Sequence, residues 1–301
     1  MWDVVIAGGG AAGCSAAIYA ARFGLRTLLL DRSAGDGQLV QAAEIENYPG
    51  LRAISGAELA ERFRQQAEQS GAVIQAAILR SAQLDAAVKR LETDQGRLEA
   101  RAVILATGAR PRRLGLSEEE RLLGRGVSYC AACDAPLYRG KVVAVVGGGN
   151  SAVAEAYHLS RLCKEVHLIF RRPELRASKS EIGRLQARSN VRFHAAAQIA
   201  ALLGAERLSG VRFSGGRELA LDGLFVAIGR EPESGLFRSQ LACGDGGGII
   251  TDGEMATALP GVFAAGDVRE KTVRQIVTAA ADGAIAACSA ERYTKSVSQF
   301  D

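Results

Sequence analysis

The sequence predicts an α/β protein of two domains, one inserted within the other, and three observations carry that prediction. Residues 2–24, WDVVIAGGGAAGCSAAIYAARFG, read as an apolar strand, a glycine turn and an alanine-rich helix closed by Gly24. KVVAVVGGGNSAVAEAYHLSRL, from Lys141, repeats that plan. Two more strand-and-turn stretches, RAVILATGARP (101–111) and GVFAAGDV (261–268), flank the repeat.

At 301 residues the chain suits two domains of ordinary size. A hydrophobic fraction of 48% and a charged fraction of 23% are those of a soluble globular protein. VVAVV and AVILATG are strand-length, well short of the roughly 18 residues a membrane helix needs, so no membrane partner is expected. MWDVVIAGGG enters a strand at once, with no basic leader, which predicts a cytoplasmic protein. A net charge of +4, spread along the chain, argues against a nucleic-acid partner.

In the first copy the glycines are Gly8, Gly10 and Gly13; the second has Gly147 and Gly149, with Ala152 in the third place. Each cluster follows an apolar strand and opens a helix, the context of a Rossmann-like dinucleotide turn. One glycine makes the tight turn and one lets a pyrophosphate approach the backbone. The third position must be small so that the helix can lie against the strand. Helix N-terminal N–H groups, in the second copy those of Asn150 and Ser151, then hold the anion.

The end of the next strand separates the two sites. RTLLLD ends on Asp31, 23 residues beyond Gly8, where an acid accepts hydrogen bonds from an adenosine ribose. VHLIFRR puts Phe170 at the same offset from Gly147, followed by Arg171 and Arg172, with Arg176 one helical turn on. Guanidinium groups in place of the acid favour a 2′-phosphate, hence NADP; the plain alternative is a solvated basic face.

The first site wants an unphosphorylated adenine dinucleotide, NAD or FAD. RAVILATG ends in the turn Thr107–Gly108, and GVFAAGDV ends on Asp267, where a ribityl hydroxyl could be bound. With the N-terminal turn, these point to FAD. FAD-type motifs at 8–50, 101–108 and 261–283 place a flavin domain at 1–110 and 233–301. The NADP-type domain, carrying the paired cysteines, is expected at 111–232, with hinges near ARPRRLG (109–115) and AIGREPES (227–234).

Six cysteines are too few and too scattered for a secreted disulfide framework. Cys14, Cys163, Cys243 and Cys288 stand alone and read as small buried hydrophobes. Cys130 and Cys133 are paired by spacing in SYCAACDAPLY (128–138). Zinc lacks a second C-x-x-C; His158 and Cys163, taken as one helix, fall about 140° apart around it, His167 reads as part of a buried strand, and His194 reads as remote. No metal is expected. A structural disulfide suits an oxidising compartment. A redox-active pair at a helix start fits best, because the helix N-terminus stabilises a thiolate. Asp134 then becomes the candidate proton carrier, with capping of the next turn as its plain reading.

The chain resembles the low-molecular-weight, bacterial-type NADPH:thioredoxin reductases, flavoproteins of the pyridine nucleotide-disulfide oxidoreductase class II type. The resemblance rests on GGGAAG, GQL with ENYPG (37–39 and 46–50), ATGARPRRLG, YCAACD, GGGNSA, FRRPELR, AIGREP, and GVFAAGDV followed by RQIVTAAADG. It implies that NADPH reduces FAD, which reduces the Cys130–Cys133 disulfide, which reduces a thioredoxin-like protein. It further implies that Cys133 faces the flavin, Cys130 attacks the protein substrate and Asp134 handles the proton. The implied FAD contacts are Gly8, Gly10, Gly13, Asp31, Gln38, Asn47, Asp267, Arg274 and Gln275. A homodimer and a rotation of one domain against the other are implied as well.

Several positions depart from the family pattern. VQAAEI lies where threonines are usual, Phe170 and Arg230 replace histidines, Pro173 replaces an acidic residue, and Ala154 replaces a frequent glutamate. A second reading therefore stands beside NADPH: a thioredoxin reductase relative whose donor is ferredoxin or a second flavin, with Phe170, Tyr293 and Phe300 as stacking groups. A third is a flavin redox sensor without turnover.

Overall fold

Val4–Ala7 and Leu28–Leu30 are buried on both faces, which is why they read as unbroken apolar runs rather than alternating ones. They lie in β1 (Trp2–Ala7) and β2 (Thr27–Asp31) of the computed structural model, which describes residues 1–32, 37–40, 42 and 45–298. Helix α1 (Ala11–Arg22) joins these two parallel strands. Gly24, at φ 81°, turns the chain out of it.

Helix α2 (Gly56–Gln69) starts at Ser55, whose hydroxyl accepts the Glu58 N–H at 3.1 Å. Strand β3 (Val73–Ala76) then pairs in parallel with β2. An antiparallel meander follows, of β4 (Leu79–Gln83), β5 (Lys89–Thr93) and β6 (Gly96–Leu105). The far end of β6 returns beside β1 in parallel.

Short strand β7 (Ala109–Pro111) leads into a second unit. It contains α3 (Glu119–Leu122), β8 (Val127–Ser128), α4 (Ala131–Asp134), β9 (Val142–Val146), α5 (Asn150–Ser160), β10 (Glu165–Ile169), α6 (Lys179–Gln186) and β11 (Val191–His194). After them come the antiparallel β12 (Ile199–Leu203), β13 (Gly210–Phe213) and β14 (Glu218–Ala220), then β15 (Gly223–Val226) and β16 (Arg230–Pro232). Strands β11-β10-β9-β15-β8 form a parallel sheet in that order, the arrangement expected of repeated βαβ units.

The chain then returns to the first unit with β17 (Val262–Ala264), parallel to β6, and α7 (Ile276–Ser298). Helices α1 and α7 cross closely: a Cβ at Gly283 would collide with the Ala12 carbonyl, and the Ser15 hydroxyl donates to Ala280 O at 2.7 Å. One compact unit comprises Met1–Arg110 and Glu231–Asp301, and the other Pro111–Arg230. The chain passes between them at β7 and β16, which pair with each other. Among the described residues no helix is long and apolar enough to cross a membrane.

Two sequence expectations are corrected. Helix α5 stops at Ser160, so Cys163 lies beyond it rather than on it. Strands β10 and β11 run in parallel register, and His167 Nδ1 lies 2.9 Å from His194 Nε2. Cys14 and Cys163 are buried, whereas Cys243 and Cys288 are only half-buried. Phe300 and part of VQAAEI lie outside the described residues.

Candidate active site

The first glycine turn runs from the end of β1 into α1. Gly8 has φ 117°, and a Cβ there would strike the Ala106 carbonyl at the end of β6. A Cβ at Gly13 would strike the Gly8 carbonyl, so the third glycine is required for the helix to sit on the strand. At Gly10 the space is open, with no atom within 4 Å of a built Cβ. Gly10 is the N-cap of α1, and no side chain caps the helix there. An uncapped helix end with open space before it can take a phosphate. The Asp31 carboxylate crowds the Cα of Gly9, beside this turn, and Arg64 Nη1 of α2 stands 4.0 Å from Asp31 Oδ2.

The other residues expected on this side fall in the same unit. The Asn47 side chain donates to Gln275 Oε1 at 3.2 Å, which joins two residues 228 positions apart. The Gln38 side-chain amide donates to the Ala109 carbonyl. Arg274 has a buried Nε with no hydrogen-bond partner, an orphaned donor of the kind that a bound ring oxygen or nitrogen satisfies. Gly108 takes φ 76°, while the Thr107 hydroxyl donates to Glu233 O at 2.7 Å and so serves the turn itself. Asp267 lies in the short 3-10 turn Gly266–Val268. Asp282, which the sequence did not single out, holds that turn: its carboxylate accepts from Gly266 N, Lys271 Nζ and Arg269 Nη1 at 3.0, 2.7 and 3.1 Å. These groups suit an adenine dinucleotide that carries a polar ring system.

The second glycine turn repeats the first. Gly147, at φ 150°, could not carry a Cβ without striking the Ala227 carbonyl and Ala152, whereas Gly149 is open and caps α5 without a side-chain bond. The Asn150 side chain accepts the Ser178 N–H at 3.0 Å, and Arg176 N donates to Gly148 O at 2.7 Å. The 171–178 loop is thereby folded against the turn. Arg171, Arg172 and Arg176 are exposed on it, as is Ser151 on the first turn of α5. Phe170 is buried in the core of this unit, and Tyr293 packs against Gly261. Both aromatics therefore have packing roles.

Cys130 and Cys133 form a disulfide, with Cα atoms 5.3 Å apart. Cys130 is the N-cap of α4, which is a single turn continued by the 3-10 turn Ala135–Tyr138. So short a helix gives less dipole support to a thiolate than the sequence reading assumed. Ser128, another residue missed in the sequence, accepts the Cys130 N–H at 3.1 Å. Burial pushes the Asp134 carboxyl above the usual carboxylate range, and a hydrogen bond from Ser128 opposes this. The Asp134 side chain makes no cap to the turn that follows. A disulfide next to a carboxyl whose proton affinity is raised can exchange electrons and protons together.

Residues 2–283 match the family model described as pyridine nucleotide-disulphide oxidoreductase. The chain belongs to that family. Among its relatives in the family, thioredoxin reductase from Mycolicibacterium smegmatis is 43% identical over 298 residues, 97% of this chain and 96% of the relative. Thioredoxin reductase from Treponema pallidum is also 43% identical, with 97% of each chain covered. The crystal structure of thioredoxin reductase from Streptococcus pyogenes aligns at a TM-score of 0.91 and 39% identity, covering 98% of this chain and 99% of the other. Thioredoxin reductases of the pyridine nucleotide-disulphide oxidoreductase family use FAD and NADPH.

Proposed function

We propose that the protein is an NADPH-dependent, FAD-containing thioredoxin reductase, acting through Cys130 and Cys133 on the disulfide of a thioredoxin-like protein. The observation that carries this reading is the Cys130–Cys133 disulfide, followed directly by a half-buried Asp134, in a unit that also holds a second glycine turn. When bound, FAD supplies two-electron transfer between nicotinamide and disulfide. Gly8, Gly10, Gly13 and Asp31 would hold its adenosine diphosphate, with Thr107, Gly108 and Asp267 lining its middle. Gln38, Asn47, Arg274 and Gln275 would hold its ring. Gly147, Gly149, Asn150, Ser151 and Ala152 would receive the NADPH pyrophosphate, and Arg171, Arg172 and Arg176 its 2′-phosphate.

In this scheme Cys133 receives the reducing equivalents and Cys130 attacks the substrate disulfide. Asp134 gives and takes the proton. The flavin domain would be residues 1–110 and 233–301, and the dithiol-bearing nucleotide domain residues 111–232. One domain would turn against the other about the two chain crossings. We also place the protein in the cytoplasm, as a homodimer.

Anaerobic mixing with NADPH tests the donor. The flavin absorbance should bleach within the mixing experiment, and thioredoxin should be reduced at steady state. Bleaching only by ferredoxin or a dithiol would overturn the NADPH assignment. Absence of turnover with any disulfide would overturn the reductase reading. Cys130→Ser should stop disulfide reduction while leaving flavin bleaching intact.

A further inference from the structure

Helix α4 packs on α5, and α5 carries an acid that the mechanism above does not use. The Glu155 carboxyl lies against the backbone N–H of Ala131, the residue that follows Cys130 within the C-x-x-C turn. Its Oε2 is shut off from solvent and has no hydrogen-bond partner. A buried carboxylate oxygen without a donor is costly when charged and cheap when protonated, so this group is built to hold a proton.

The groups around it are few. Arg230, at the start of β16, is the cation that acts on Glu155, and together with the Ala131 N–H it favours the charged form. Helix α4 contributes Asp134 and the two cysteines. On α6, also packed on α5, Arg184 sits over the Tyr157 ring. Strand β9 has no titratable side chain, and on β10 Glu165 and His167 face each other at 3.8 Å. Burial outweighs Arg230 and the Ala131 N–H, and the Glu155 carboxyl is pushed up to about 7.

We propose that Glu155 is a positioning residue of the dithiol: it holds the Ala131 peptide of the C-x-x-C turn and takes up a proton from solvent when the Cys130–Cys133 bond is opened. The proposal rests on the reductase reading only for the identity of the reductant. Two electrons and one proton break the S–S bond and leave one thiol and one thiolate. The new thiolate forms on the turn whose Ala131 peptide Glu155 holds, and like charges on neighbouring groups repel. Glu155 relieves this by taking a second proton, so that two electrons and two protons enter together. Above the pH at which Glu155 is already protonated in the disulfide form, reduction of the wild type should consume about one proton more than reduction of a variant without this carboxyl.

The test is an equilibrium titration of the flavin-loaded protein in a dithiothreitol redox buffer from about pH 6 to pH 9, read by thiol alkylation and mass. Neither NADPH nor thioredoxin is present, so failure of the reductase reading would show separately, as loss of NADPH-to-thioredoxin turnover. Glu155→Gln keeps the shape of the side chain and an acceptor for the Ala131 N–H. Its disulfide-to-dithiol equilibrium should depend on pH more shallowly than the wild type, by about one proton, from pH 7 upward. Superimposable pH dependences would overturn the proposal. Arg230→Gln gives a second reading should the first variant fold poorly. Removing the cation should move the wild-type inflection to higher pH, and an unmoved inflection would overturn the proposal equally.

Discussion

The carboxylate of Asp282 on α7 accepts the backbone N–H of Gly266, the residue before Asp267, at 3.0 Å. The same carboxylate is the partner of Lys271 and Arg269, and side-chain exposure in the cluster is between 9% and 14%. Asp282→Ala would leave two cations poorly solvated and release the Gly266 turn. Loss of about 3 kcal/mol of stability is expected, the usual cost of breaking a buried pair from one side. Denaturant unfolding with and without added FAD measures it. If the turn serves the flavin, FAD should restore less stability in the variant than in the wild type.

The first glycine turn separates folding from binding. Gly13→Ala drives a Cβ into the Gly8 carbonyl and should cost about 3 kcal/mol or prevent folding. Gly10→Ala meets nothing, and its φ of −76° suits alanine. The apoprotein should therefore lose no more than about 1 kcal/mol, while flavin retention through purification falls sharply. Equal flavin content in Gly10→Ala and wild type would count against a pyrophosphate at this helix end.

On the proposed reading, Arg171 and Arg172 separate the two nicotinamide cofactors. Replacing both with alanine should raise the KM for NADPH by about 10- to 100-fold, as expected for charge-assisted hydrogen bonds to a phosphate. The KM for NADH should be unchanged. Parallel losses with both cofactors would mean that the arginines are not reading the 2′-phosphate.

Glu155 also predicts how stability varies with pH. Its folded-state value of about 7 lies above the ordinary 4.5, so between those limits the folded protein holds the extra proton. Its contribution is then fully present below about pH 4.5 and lost as pH rises through about 7. The total lost is on the order of 3 kcal/mol. Glu155→Gln should flatten the fall in stability across pH 5–7, measured by urea unfolding. An unchanged slope would show that the carboxyl is solvated in solution.

Both glycine turns were legible in the sequence because their requirements are local. Gly8 and Gly147 need a backbone that a Cβ would block, and the blocking carbonyls belong to strands at fixed places in a βαβ unit. The C-x-x-C pair was legible for the same reason. What the sequence concealed is contact across elements. Asp282 looked like one more residue in an alanine-rich helix, since its partners at 266, 269 and 271 lie on a loop that folds back. Glu155 becomes unusual only when α4 packs on it. His194 meets His167 through the β10–β11 register, which spacing did not reveal. Helix α4 gives way at Ala135 to the 3-10 turn Ala135–Tyr138, which carries Pro136 in its first two positions, where a longer helix was assumed.

The pairing of β17 with β6 joins Val262 to Val103, and all of Pro111–Arg230 lies between them. On a ribosome the inserted unit can therefore fold as one continuous piece, while the outer unit waits for its last strand and for α7 to reach α1. Closing so long a loop makes the final step slow relative to local events. Pulsed hydrogen exchange during refolding should show β9, β10 and β15 protected before β17; simultaneous protection would refute the order. In a growing chain, Cys130 and Cys133 are thus housed before the Gly266–Asp267 turn has been made.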